Sequence, residues 1–278
     1  LLAPTLRSIL SQTFLQFELI VIDDGSTDDS LKEALSIDDP RVKTYRKENG
    51  ERAAARNYGA DRSEGRYLIF FDSDDLMYKG HLETVHRYLA DHAFLEVAYT
   101  PFDFVDEGGN KISTVYKNSS DLKSKLVHDN FLGCDSVIIR ADIFRKFRFN
   151  EIRSLSTAED KELWLRVSAE YPFHFIPTVG FAMVQHGGRS MVDRPVEKVD
   201  GVINALVSSL KQDRAFSKSY GFMARYLYAY EFALLSSLWS SSGNKSKGRS
   251  YLAKAFFAAP NIIINRRFGA AIKNLFFK

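Results

Sequence analysis

A single cysteine, Cys134, among 278 residues excludes an internal disulfide and any multi-cysteine metal site. A lone thiol is the common pattern of a reducing compartment, so a cytoplasmic setting is expected. Histidine is sparse as well. The six are scattered, and no two stand at the i, i+4 spacing of a helical zinc motif. No apolar run approaches the roughly 20 residues that a membrane-spanning helix needs. Acidic side chains are missing from the tail: none follows Glu231, whereas Lys245, Lys247, Arg249, Lys254, Arg266, Arg267, Lys273 and Lys278 do. Those eight cations turn an overall charge of +3 into −5 for the first 231 residues. A mildly acidic body carries a basic tail.

With 45% hydrophobic and 26% charged residues, the chain is neither disordered nor fibrous and can bury a large core. Leu1 to Thr13 reads as a helix already in progress, with Leu6, Ile9 and Leu10 on one face. A strand is therefore expected ahead of Leu1, and the chain reads as lacking its natural first strand. Phe17 to Asp23 (FELIVID) and Tyr67 to Asp72 (YLIFFD) are apolar runs ending in acids, the pattern of strands buried on both faces of a parallel sheet. Shorter strands are expected at Val42 to Tyr45 and Leu95 to Thr100. Helices are expected over Asp28 to Ser36, Arg52 to Asp61 and Gly80 to Asp91. This alternation predicts a doubly wound α/β unit with a mostly parallel sheet over residues 1 to about 100. Further on, a hairpin around Glu107 to Asn110, a strand at Ser136 to Arg140, a helix over Ala158 to Glu170 and one or two strands within Phe173 to Val184 follow. From Val199 the spacing is helical throughout. The boundary is expected near residue 192, with a catalytic domain over 1–192 and a helical region over 193–278.

Two acidic clusters take the same structural position, just beyond the carboxyl end of an apolar strand: Asp23-Asp24 and Asp72-Ser73-Asp74-Asp75. In open α/β sheets the ligand crevice lies there. Carboxylates gathered in one crevice repel unless a cation joins them, and hard oxygen ligands suit magnesium or manganese bound with a phosphate-bearing ligand. The plainer alternative makes these acids turn formers and helix caps, which explains one aspartate more readily than two clusters at equivalent strand ends.

VIDDGSTDDS (Val21 to Ser30), ENGERAAARNYGAD (Glu48 to Asp61), YLIFFDSDDLM (Tyr67 to Met77) and AEDKELWLR (Ala158 to Arg166) together resemble the family-2 glycosyltransferases, in that order and at that family's spacing, over residues 1 to about 190. The resemblance implies a GT-A fold, a mixed sheet flanked by helices, and an inverting transfer of sugar from a nucleotide-sugar donor, with a uridine base favoured. It implies that Asp24 reads the base, supported by Asp23; that Arg52, Arg56 and Asp72 line the nucleotide; and that Asp74 binds Mn²⁺ or Mg²⁺, with Asp75 supporting the loop. Arg56 with Asn57 reads equally as helix packing. Asp160 matches the catalytic base, beside Glu159, although both acids also suit a helix N-terminus. His186, in QHGGRSM, falls where the family often has a histidine near the metal or diphosphate. As a lone histidine next to glycines, it reads as a loop residue too.

The resemblance further implies a glycan or lipid-linked acceptor, with a cell-envelope polysaccharide as its destination. Rival readings are a haloacid-dehalogenase-type phosphotransferase, suggested by FFDSDDL, a non-catalytic sugar-nucleotide-binding module, and a glycoside hydrolase using Asp72 and Asp160. The first leaves DDGSTDDS unexplained and the last leaves the metal-like cluster idle. The basic tail admits two readings: packing against the rest of the fold, or peripheral contact with an anionic membrane at its inner face. Its aromatics read as core rather than stacking platforms, so no nucleic-acid partner is expected.

Overall fold

The structure is a computed structural model that describes residues 2–92, 95–187 and 194–276. It divides into two compact units. The first comprises Leu1–Ser120, Phe131–Trp164 and Tyr171–Ser190; the second comprises Asp121–Asn130, Leu165–Glu170 and Met191–Lys278. The expected boundary near residue 192 lies outside the described residues.

The first unit opens with α1 (Leu2–Leu10), which buries Leu6 and Ile9, the expected inward positions. Then come β1 (Leu19–Asp23), α2 (Ser30–Leu35), β2 (Val42–Arg46) and α3 (Glu51–Ala60). β1 and β2 pair in parallel from Leu19↔Val42 to Asp23↔Arg46. α3 packs so closely on β1 that a Cβ on Gly59 would lie 3.2 Å from Ile22 Cγ1. β1 is half-buried until Asp23, not enclosed on both faces as its apolar run suggests, because its ladder is only two strands wide.

Beyond α3 lie β3 (Tyr67–Ile69), β4 (Leu76–Met77), α4 (His81–Asp91), β5 (Val97–Tyr99), β6 (Phe102–Val105) and β7 (Lys111–Val115). The hairpin of β6 and β7 forms where expected. After α5 (Leu122–His128), which belongs to the second unit, come β8 (Val137–Arg140), α6 (Ala141–Phe147), α7 (Glu159–Glu170), β9 (Phe173–Phe175) and β10 (Phe181–Val184). β3, β8, β5 and β9 form one sheet, and β4, β10, β6 and β7 another.

Both four-stranded sheets are mixed, as the resemblance implies, while the β1–β2 pair is parallel. β8 runs antiparallel to both β3 and β5, while β5–β9 and β6–β10 are parallel. Val85, Leu95, Ala98, Ile138 and Ile176 form a core cluster around the β3–β8–β5–β9 sheet, and Leu163 and Trp164 of α7 are fully buried. His81 is buried too, and burial lowers its pKa to about 4, so it is a neutral packing residue. Its ring fills the space a Cβ on Gly180 would need.

The second unit adds α8 (Val196–Gln212), α9 (Arg214–Tyr220), α10 (Phe222–Ser241), α11 (Lys245–Ala258) and α12 (Arg266–Phe276). α10 and α11 meet at small residues: Ser236 Oγ donates to Gly248 O at 2.8 Å, and Gly248 is buried without room for a side chain. Pro260 starts a short 3₁₀ turn, Pro260–Ile264, between α11 and α12. The tail's apolar residues divide: Ile262, Phe268 and Leu275 are buried, whereas Phe256, Phe257, Ile263, Ile264, Ile272 and Phe276 are exposed.

Candidate active site

The carboxyl end of β1 delivers Asp23 and Asp24 into a turn that Gly25 closes with φ +80°, a conformation that costs glycine least. Asp23 is buried and structural. Its Oδ1 accepts from Ser26 N at 3.1 Å, and Oδ2 lies 3.3 Å from Arg46 Nε. Asp24 faces the loop ahead of α3: Lys47 Nζ donates to its Oδ1 at 2.7 Å, and Gly50 N at 3.0 Å. Arg52 lies in the first turn of α3, one turn before Arg56.

Arg56 joins the acidic loop after β3 to the start of α7. Its Nη2 donates to Asp72 Oδ1 at 2.6 Å, and its Nη1 to Glu159 Oε1 at 2.8 Å. The two carboxylates outweigh the desolvation of the guanidinium and hold its pKa well above the ordinary value. Helix packing falls to the neighbouring Asn57, whose amide donates to Phe149 O at 2.9 Å and accepts from Phe149 N at 3.0 Å. The adjacent pair therefore divides, Arg56 bridging two acidic side chains and Asn57 holding the backbone at Phe149.

Beyond β3, oxygen atoms of Asp72, Asp74 and Asp75 lie within 4.8 Å of one another. Asp75 is fully buried and accepts from Val184 N at 3.0 Å, fixing the loop to β10. Asp74 is half-exposed, and His186 Nε2 stands 3.0 Å from its Oδ2. Three carboxylates and an imidazole are a donor set that fits Mg²⁺ or Mn²⁺. Ser190, in the same stretch as His186, lies outside the described residues.

Asp135 joins this cluster without having been singled out from sequence. Its Oδ1 accepts from Asp72 N at 2.5 Å, and its Oδ2 is buried without a hydrogen-bond partner. Burial, then the charges of Asp72 and Asp75, push its carboxyl well above the usual carboxylate range. Lys47, which pairs with Asp24, lies one residue ahead of the motif that starts at Glu48 and has no signal of its own in the sequence.

Glu159 and Asp160 open α7. Thr157, just ahead, has φ +87°, a strained conformation for a β-branched residue, and donates its N–H to Glu159 Oε2 at 2.5 Å. The start of α3, which faces it, carries a second strained residue, Glu51 at φ +70°. Ser156 Oγ lies 3.3 Å from Glu51 Oε2, and Arg153 Nη2 donates to Asn49 O at 2.9 Å. Asp160 Oδ1 accepts from Lys161 N at 2.6 Å. Burial and then the adjacent Glu159 charge raise the Asp160 pKa to about 7, so this carboxylate can exchange a proton near neutrality.

The profile of glycosyl transferase family 2 matches residues 1–148. An uncharacterized glycosyltransferase of Rickettsia conorii is 30% identical over 227 residues, covering 81% of this chain and 37% of that protein. The chain thus spans little more than a third of that relative's length. The UDP-Glc:alpha-D-GlcNAc-diphosphoundecaprenol beta-1,3-glucosyltransferase WfgD of Escherichia coli is 28% identical over 170 residues, 60% of this chain and 64% of that one. Among solved structures, S. aureus TarS 1–349 superposes with a TM-score of 0.70 at 17% identity, covering 99% of this chain and 85% of TarS. Another TarS 1–349 structure, in complex with UDP-GlcNAc, gives 0.65 over 96% of this chain and 88% of that one. The fold is therefore of the GT-A type.

Proposed function

The chain belongs to the family-2 glycosyltransferases, and from that membership we propose that it transfers a sugar from a uridine-diphosphate donor to a hydroxyl of a glycan or lipid-linked acceptor, with inversion at the anomeric carbon. The observation that carries this reading is the Arg56 bridge, which ties the acidic loop after β3 to the residue beside Asp160. The UDP-GlcNAc in TarS and the lipid-linked acceptor in the name of WfgD support the two substrate classes.

In this mechanism Asp24 accepts from the base of the nucleotide, and Arg52, Arg56 and Asp72 line its ribose and diphosphate. Asp74 would hold Mg²⁺ or Mn²⁺, with His186 beside it and Asp75 keeping the loop in place. When bound, the cation supplies Lewis-acid stabilisation of the departing diphosphate. The acceptor oxygen attacks the anomeric carbon while the bond to the diphosphate breaks, and the diphosphate leaves with the bonding electrons. Asp160 takes the acceptor's proton, for which a pKa of about 7 suits it. A single base and a direct displacement give inversion.

Incubation with a panel of UDP-sugars and Mn²⁺ tests this reading through UDP release. Slow hydrolysis of at least one donor, accelerated by an oligosaccharide or polyprenyl-diphosphate sugar, is expected. Protein that neither binds UDP nor releases it from any donor contradicts the reading.

A further inference from the structure

The second unit exposes a band of large apolar side chains that its own packing does not use. Phe257 is 75% exposed, Ile263 58% and Ile264 85%. All three flank Pro260 at the junction of α11 and α12, and the start of α10 is tied to that junction. Arg225 Nε donates to Ala258 O at 2.9 Å, and Asn265 Nδ2 donates to Tyr226 OH at 2.9 Å. Phe222, at the same end of α10, is itself 54% exposed. Scattered exposed apolar residues are ordinary, but several gathered at one end of a helical bundle mark a surface that meets something apolar.

The charge around this band says what covers it. Arg225 and Arg266 are both exposed, and the chain has no acidic residue beyond Glu231. A partner that is apolar beneath and anionic on top matches both features. A second copy of this chain would instead set like charges against one another.

We propose that the α11–α12 junction is a membrane-docking surface for anionic lipid, with Phe257, Ile263 and Ile264 entering the acyl boundary and Arg225 and Arg266 among the headgroups. No helix among the described residues is long and apolar enough to span a bilayer, so the contact is peripheral. This surface is separate from the transfer chemistry, and its test does not depend on activity.

Co-sedimentation of the full chain with phosphatidylcholine vesicles, and with phosphatidylcholine–phosphatidylglycerol vesicles, tests it. Partition onto the anionic vesicles is expected to be at least about tenfold the neutral value at low salt, falling severalfold at moderate salt. The pair Phe257→Ser/Ile264→Ser lowers binding by about tenfold or more, as loss of buried apolar surface requires. Arg225→Gln/Arg266→Gln removes the preference for anionic lipid and provides a second readout should the first pair fold poorly. No sedimentation with either vesicle at low salt overturns the proposal, as does binding that neither pair changes. Dimers in sedimentation velocity that Phe257→Ser dissolves, without vesicle binding, assign the band to a second copy and also overturn it.

Discussion

Arg56 Nη1 donates to Glu159 Oε1 at 2.8 Å in an ion pair whose side chains are only 12% and 3% exposed. Because the same guanidinium holds Asp72, its removal leaves two carboxylates facing each other across the site. Breaking a buried pair from one side costs roughly 3–5 kcal/mol. Arg56→Met is therefore expected to lower the melting temperature by about 10 °C and to weaken UDP binding. Arg56→Lys, which lacks the two-pronged geometry, falls between. Differential scanning fluorimetry with and without UDP reads both effects. An Arg56→Met protein as stable as the wild type contradicts the bridge.

Asp135 presents one satisfied and one unsatisfied oxygen. Asp135→Asn keeps the acceptor for Asp72 N–H and removes the ionisable group, so it folds at least as stably as the wild type at neutral pH. Asp135→Leu leaves that N–H without its acceptor and costs about 1–3 kcal/mol. The sign of the pH dependence follows from the raised pKa. The stability contributed by the protonated carboxyl is complete below the ordinary carboxylate range and is lost as pH rises through the folded value. The advantage of Asp135→Asn over the wild type therefore grows with pH, as denaturant titrations at acid and alkaline pH will show.

The same sign applies to Asp160, whose pKa is about 7. The base must be ionised to act, so the transfer rate climbs about tenfold per pH unit below 7 and levels above it. Stability moves oppositely, fullest below the ordinary carboxylate pKa and declining as pH rises through about 7. A rate profile flat from pH 5 to 8 contradicts the assignment.

Cation dependence is expected to reside in Asp74. Isothermal titration should show UDP binding strengthened by Mn²⁺ or Mg²⁺, with Asp74→Ala abolishing that gain and His186→Ala reducing it. UDP affinity indifferent to the cation in the wild type removes the metal from the account.

Much of this was legible in the sequence because the signals are local. FELIVID and YLIFFD mark their strands, the acids after them mark the crevice, and the periodicity of Ala158 to Glu170 places Leu163 and Val167 inward, both fully buried, and Asp160 at the helix start. Asp135 was not legible from the same rule. It precedes its strand instead of following it. Only because β8 runs antiparallel to β3, with Ile138 opposite Ile69, does the beginning of one strand lie beside the end of the other. Pairing direction is a long-range property that neither strand's composition encodes. The short helices α5 and α6 likewise lack enough turns to give a clear period, and α2 starts at Ser30 rather than Asp28, whose Oδ1 instead accepts from Ser30 N at 3.0 Å.

Paired measurement of UDP affinity and sugar transfer in Asp160→Asn bears most directly on the central claim, that a nucleotide-sugar site on one side of the anomeric carbon works against a single carboxylate base on the other. A general base contributes roughly 10²–10⁴-fold to rate and little to donor binding. Transfer should fall by that factor while the UDP dissociation constant stays within about twofold of the wild type. A mutant that transfers sugar at a near-normal rate would reduce Asp160 to a helix-capping residue and contradict the account.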